Sequence, residues 1–567
     1  MAKNIKLSLL TIITVSLILR LWGIWFGLPY LYHQDETHEV LRALELGAGG
    51  FDFNRVTKAG YFYLLFFEYG VYFIVMKLFG FVKSASDFAL YFVKEPWSFY
   101  LIGRSTTAII GTLNVYITYK IGKEAYSDRT GLIAALLLAF NYLHSQSSHY
   151  ITVDVPMTCL ATLSLLFIIR MAHNGNLKNY MLSGILAGLA VQTKATAIVL
   201  VFPILIAHLY YIKKAKKNSV WEFFFGKGIL ICAVMGILVL FIGNPGLLLN
   251  FKNVLYSFWN MYFGNAATAS TGSSGIDHGP NLFLFYLHVL NVSSGTLLFI
   301  ICLAGFVYIL FCRKEEDVIL AAYIVSFFVL ISMSKHRLLF YFRYLIPILP
   351  ALMILSAKFI DEVAVKVFRK KVKPIVALMV CLFIMQPGYK IIRENYFLSH
   401  KDTRTIAKEW IESNIPAGTR ILIEGMRTKP KEDTVPLHYN KNNILNAIER
   451  YRGKEPRKAK YFELELKCLP AITYDLVTVG GHSNFRDIAY YKEAGIEYIV
   501  LRADRYIPKR DWLRGKWRIN YIPAGYEVGE FLIALRNNPG AKLVKRFEQL
   551  KWNRPGPTIE IYKILQR

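Results

Sequence analysis

The stretch Tyr32-His33-Gln34-Asp35-Glu36-Thr37-His38-Glu39 follows directly on an apolar run, Leu7 to Leu28. Crossing a bilayer takes about 20 apolar residues, so that run is long enough to span. An acidic, histidine-containing segment therefore emerges where the chain leaves the hydrocarbon. Lys3 and Lys6 precede the run, and the excess of Lys and Arg on cytoplasmic sides puts the amino terminus inside and the segment from Tyr32 to Lys58 on the outer face. The run lacks a small-residue cleavage site, so it reads as a retained first helix and not as a removed signal peptide.

The composition extends this reading to the whole chain. With 54% hydrophobic and 15% aromatic residues in 567, the protein is too apolar for a soluble domain and too interrupted for a single anchor. The net charge of +28 collects in short loops between apolar runs: Lys213-Lys214-Ala215-Lys216-Lys217, Arg313-Lys314 and Arg369-Lys370-Lys371-Val372-Lys373. That pattern marks topology and anionic lipid headgroups, and it argues against nucleic acid as a partner. Of the six cysteines only Cys468 lies in the polar tail, which excludes a disulfide framework there.

About eleven spans are expected, at roughly 7–28, 99–121, 130–148, 151–171, 178–193, 195–212, 226–243, 293–312, 317–334, 344–366 and 374–392. The loops then predicted cytoplasmic hold Lys120, Lys123, Arg129, Arg170, Lys178 and the three basic clusters, so count and charge agree. Tyr61 to Gly80 is also apolar enough to span, but counting it would place those clusters outside. It is assigned, with the segment to Trp97, to juxtamembrane or re-entrant helix on the outer side. A long outer segment, Asn244 to Phe283, contains the Ser-, Thr- and Gly-rich Thr268 to Gly279 and is a candidate lid that carries His278. The fold class expected is mainly α: a polytopic domain over 1–394, then an outer α/β domain over 395–567. In the latter, Asp402 to Asn414 has helical spacing, and Arg420 to Ile423, Tyr498 to Leu501 and Ile559 to Ile564 read as strands.

Charged residues at span ends are few: Asp35, Glu36, Lys58, Asp154, Lys194, Arg337 and Arg343, all on the same face in this topology. A charge near hydrocarbon is costly unless it is paired or solvated in a cavity, so each is a functional candidate. Carboxylates facing several cations suit a general base beside a site for an anionic leaving group. Plainer roles stand beside these. Asp35 and Asp154 are also good amino-terminal helix caps, Lys194 can snorkel to the interface, and Arg343 sits in an aromatic-basic anchor, Tyr341-Phe342-Arg343-Tyr344. Glu36 reads as a solvated neighbour of Asp35 or a supporting group beside it.

Taken in order, the acidic pair Asp35-Glu36, Thr57-Lys58-Ala59-Gly60-Tyr61, Arg104 at the start of a span, Tyr150-Ile151-Thr152-Val153-Asp154-Val155-Pro156, Gly188-Leu189-Ala190-Val191-Gln192-Thr193-Lys194 and Arg343-Tyr344-Leu345-Ile346-Pro347 resemble a known family. This is the GT-C class of integral-membrane glycosyltransferases, in the branch of the protein O-mannosyltransferases and the aminoarabinose transferases of lipid A (glycosyltransferase family 39-like). The likeness covers about residues 1–360, is strongest over 30–205 and does not reach the tail. It implies inverting transfer of one hexosyl or pentosyl unit from a polyprenyl-phosphate-sugar donor to a protein, lipid or polysaccharide acceptor on the extracytoplasmic face of the cell membrane. It also implies Asp35 as base, with Asp154 and Glu36 in the catalytic set, and Lys58, Lys194, Arg343 and Arg337 on the lipid phosphate, with His336 weaker. A divalent metal on Asp35, Asp154 and His38, with His33 as a further ligand, is a variant of the same scheme. The chain departs from the family where Gln34 replaces a proline before the acidic pair and Ala59-Gly60 replace two prolines after Lys58. The alternative is an ion-coupled secondary transporter; against it, the charges gather at one face instead of the midplane and no internal repeat is visible.

Overall fold

The structure, a computed structural model, describes residues 2–47, 59–216, 219–253, 282–333, 342–368, 372–425, 435–479, 485–503, 526–548 and 555–565, together with 256, 259, 276, 277, 520 and 521. Helices dominate. In chain order they are α1 (Ala2–Leu21), α2 (Gln34–Gly47), α3 (Ala59–Leu78), α4 (Ala85–Lys94), α5 (Trp97–Ala125), α6 (Asp128–Ala139), α7 (Tyr142–Ser147), α8 (Asp154–Asn174) and α9 (Leu177–Thr193). A 3-10 turn, Ala195–Leu200, leads into α10 (Val201–Lys214), followed by α11 (Val220–Phe225), α12 (Lys227–Gly243), α13 (Gly246–Leu249), α14 (Leu282–Ser294), α15 (Thr296–Cys312) and α16 (Glu315–Met333). A second 3-10 turn, Phe342–Ile348, precedes α17 (Leu349–Phe368) and α18 (Val372–Leu398).

All eleven expected spans overlap helices, but the first helix ends at Leu21 and the rest of the expected span to Leu28 is turn, and the span expected over 130–148 is broken between Ala139 and Tyr142. Among the described residues, seven segments are long and apolar enough to cross a membrane by length and composition, and Gly60–Leu78 is one of them. The other expected spans lie on helices that are shorter, interrupted or more polar. Helix α3 finds its partners at one end of the bundle: the Tyr61 hydroxyl donates to Gly103 O, the Tyr69 hydroxyl to Phe99 O and the Tyr63 hydroxyl to Gly243 O.

Two devices hold the bundle. Helices α9 and α12 approach so closely that a Cβ on Gly184 would lie 2.1 Å from Cys232 O, and one on Gly188 2.6 Å from Gly236 O, so glycine spacing sets the contact. At the end remote from α2, buried Lys358 meets buried Asp317 at 2.6 Å, the Tyr126 hydroxyl donates to the same carboxylate at 2.6 Å, and Arg129 pairs with Asp361. His173 at the end of α8 meets Glu316 at 2.7 Å. Removing one member of such a buried pair strands a charge, which is why these contacts tie the helix ends firmly together.

The tail forms α19 (Thr403–Asn414), β1 (Arg420–Glu424), α20 (Lys441–Arg452), α21 (Pro456–Lys467), β2 (Asp475–Val479), α22 (Ile488–Glu493), β3 (Tyr498–Arg502), α23 (Tyr526–Asn537), β4 (Ala541–Phe547) and β5 (Ile559–Ile564). The sheet order is β2-β1-β3-β5-β4, with β1 parallel to both of its neighbours and β5 antiparallel to β3 and β4. Ile421, Leu422 and Ile423 are consecutive and all fully buried, as expected of a central strand covered on both faces. This is the α/β domain expected; α18 runs to Leu398, slightly past the expected boundary at 394.

Candidate active site

Four elements bring chemistry to one end of the bundle. Helix α2 begins at Gln34, which places Asp35 in its first turn. Helix α8 begins at Asp154, with Val153 and not Asp154 in the cap position. Helix α9 ends at Thr193, and Lys194 has extended backbone between it and the following 3-10 turn, so its side chain leaves the helix axis. Arg343 sits at the start of the Phe342–Ile348 turn.

These four side chains form one row. Asp35 is ion-paired with Arg343; Arg343 Nε lies 3.6 Å from Asp154 Oδ2; and Lys194 Nζ donates to Asp154 Oδ1 at 2.5 Å. Lys194 Nζ also sits 4.0 Å from the centre of the Tyr344 ring, where the π face favours a cation. Exposure rises along the row from Asp154 (2%) and Lys194 (12%) through Arg343 (24%) to Asp35 (46%), so the row opens to its surroundings at Asp35. Burial alone would lower the Arg343 pKa; the Asp154 and Asp35 carboxylates more than offset this, and the pKa stands above its ordinary value. The guanidinium is therefore a permanent cation.

Glu36 is neither solvated nor available as a base. It is fully buried, accepts from Arg104 Nε at 2.8 Å and Arg104 Nη2 at 2.7 Å, and also accepts from the Ile151 N–H at 3.1 Å. Arg104 in turn donates to Ile24 O and Phe26 O at 2.8 and 2.9 Å. This clamp fixes the start of α2 against the segment that leads into α8, and with it the relative position of Asp35 and Asp154. Nothing local in the sequence pairs residues 36 and 104. The available signal was that a buried arginine in an apolar chain requires a carboxylate.

Among the described residues, the ligand atoms of Asp35, Asp154 and His38 do not all lie within 4.8 Å of one another. Among the described residues, the one group of three with ligand atoms within 4.8 Å of each other is His173, Glu315 and Glu316 at the far end of the bundle, and Lys214 Nζ lies 3.2 Å from Glu315 there. Cations of the protein neutralise Asp35 and Asp154 instead. Lys58, His336, Arg337, His278 and the Thr268 to Gly275 part of the candidate lid lie outside the described residues; Gly60 is described, and a Cβ on it would lie 2.4 Å from Thr193 Oγ1, beside Lys194.

His33 stacks on Tyr150 with ring centroids 4.3 Å apart and an interplanar angle of 22°. Burial lowers its pKa below the ordinary 6.5, against the opposing pull of Glu36 and Asp35. A histidine with a depressed folded pKa contributes stability that is complete above the unfolded value and is lost as pH falls toward the folded one. The thermal midpoint of the wild type is therefore expected to drop between about pH 7 and pH 5, and His33→Phe, which keeps the stack, to flatten that drop. An unchanged pH slope in the variant would remove His33 from the account.

Compared with known structures, the chain aligns over 97% of its length, and 97% of the other chain, with apo ArnT from Cupriavidus metallidurans at 13% identity and a TM-score of 0.50. ArnT bound to undecaprenyl phosphate aligns over the same shares at 14% identity (TM-score 0.47). The oligosaccharyltransferase AglB from Archaeoglobus fulgidus, in complex with an inhibitory peptide and a dolichol-phosphate, aligns over 88% of this chain and 69% of that one at 14% identity (TM-score 0.45). The chain thus shares the fold of apo ArnT. Within it, residues 94–250 match the family model described as dolichyl-phosphate-mannose-protein mannosyltransferase. No curated protein matches the sequence.

Proposed function

We propose that this protein transfers a single sugar from a polyprenyl-phosphate donor to an acceptor hydroxyl, with inversion, at the Asp35–Arg343–Asp154–Lys194 row. The observation that carries this reading is the row itself: an exposed carboxylate at its open end, backed by two cations and a buried second carboxylate. The description of the family matching residues 94–250 supports the same donor chemistry. In the reaction the acceptor oxygen bonds to the anomeric carbon as the bond from that carbon to the phosphate oxygen breaks. The acceptor proton passes to Asp35. The lipid phosphate gains a negative charge as it departs, and Arg343 and Lys194 are the cations placed to meet it. Catalysis then consists of positioning and charge stabilisation, because phosphate already leaves well.

Helix ends rich in Lys and Arg lie at the far end of the bundle, which this reading assigns to the cytoplasm, leaving the row and the tail outside. Lys194→Ala tests the phosphate assignment: kcat/KM for the donor is expected to fall about 10²-fold, the range for losing one charge-stabilising donor. Determining the anomeric configuration of the product tests the single displacement, and retention would contradict it. Transport is the weaker reading, since the paired charges sit toward the ends of the bundle and not at mid-depth.

A further inference from the structure

The C-terminal domain grips the Asp35 helix at both ends. Ahead of α2, the Tyr32 hydroxyl shares a hydrogen bond of 2.8 Å with Thr405 Oγ1, and the Arg404 guanidinium carbon lies 3.6 Å from the centre of the Tyr32 ring. Arg404 is itself fixed, because its Nε and Nη2 donate to the two oxygens of Asp402 at 2.8 Å each, while Asp402 caps α19. Tyr32 is mostly buried in this contact, and burial holds its phenol pKa above the ordinary value, so it stays neutral. At the other end of α2, Glu45 meets Arg457 at 2.9 Å. Between these points, Tyr461, Leu464 and Cys468 pack against the cluster that includes Leu31, Val40 and Ala43. The domain has little slack: α18 ends at Leu398, α19 begins at Thr403, and Asn395 Nδ2 donates to Leu19 O at 2.6 Å.

We infer that the C-terminal domain is a positioning clamp for Asp35, with Arg404 and Thr405 as its principal grip; this rests on Asp35 acting as the base. Tyr32 lies three residues before Asp35 in the chain, so loosening it displaces the carboxylate directly. Displacements near 1 Å at a reacting group lower rates by about 10²-fold without touching the substrate. Among the described residues the domain contributes none to the row, so an effect of Arg404 or Thr405 on transfer would pass through Tyr32.

The test is hydrogen exchange and transfer kinetics on the full chain in lipid nanodiscs. In Arg404→Ala/Thr405→Val, amides of residues 34–40 are expected to exchange about tenfold faster, the loss of one cation–π contact and one hydrogen bond, while α8 and β1 stay at wild-type rates. Turnover falls with donor KM held within about twofold, and the single variants Arg404→Ala and Thr405→Val each show part of both effects. Arg457→Glu loosens the end of α2, and the reversal Glu45→Arg/Arg457→Glu restores it. Unchanged exchange over 34–40, or equal acceleration in α8 and β1, would overturn the clamp. If the wild type turns over no donor while the exchange result holds, the active-site reading fails and the contact stands.

Discussion

Asp35→Asn is expected to lower sugar transfer by about 10²- to 10⁴-fold, the range for losing a positioned general base. The substitution keeps the size and position of the side chain but removes the charge, so it breaks the ion pair with Arg343 and the capacity to take the acceptor proton together. Asp35 is the most exposed member of the row and the last whose removal should disturb packing, so folding is expected to survive. A fall in kcat with donor binding retained separates this from a general defect. Wild-type turnover by Asp35→Asn would move the base elsewhere in the site.

The second large effect is on stability. Arg104→Met leaves the Glu36 carboxylate buried with its bidentate partner gone, a change that typically costs about 3–5 kcal/mol. Because Glu36 also accepts from Ile151 N, the loss reaches the approach to Asp154 as well. The double variant Arg104→Met/Glu36→Met removes both charges and is expected to unfold at a higher temperature than Arg104→Met alone, since a buried pair replaced by apolar groups can be close to neutral. Thermal unfolding in one detergent, with all variants side by side, checks this. Additive losses in the double variant would show that the pair is not coupled.

Much of the site was legible because the chain is so apolar. In such a background Asp35, Asp154, Lys194 and Arg343 stand out as charges at helix ends, and the count of spans puts them on one face; the structure brings these four together. The capping role open to Asp154 is not the one it takes. What escaped was long-range pairing: Glu36 with Arg104, His33 on Tyr150 and Lys194 over Tyr344 depend on tertiary approach that no local pattern encodes. In the tail, the strands legible in advance were the apolar β1, β3 and β5. Strand β4, Ala541–Phe547, has Lys542, Lys545 and Arg546 along an edge of the sheet, where charge is tolerated, so its composition did not announce it. The role of the tail was not legible at all, because its grip on Tyr32 joins residues 373 apart in the chain.

The most direct measurement is donor consumption by the purified wild-type protein, presented with a panel of radiolabelled polyprenyl-phosphate monosaccharides and membrane extract as acceptor. The expected result is transfer from one donor class, with lipid phosphate released in equal amount. No consumption of any donor by well-folded protein, beside a competent control enzyme, would contradict the assignment of the row as a phosphosugar transfer site.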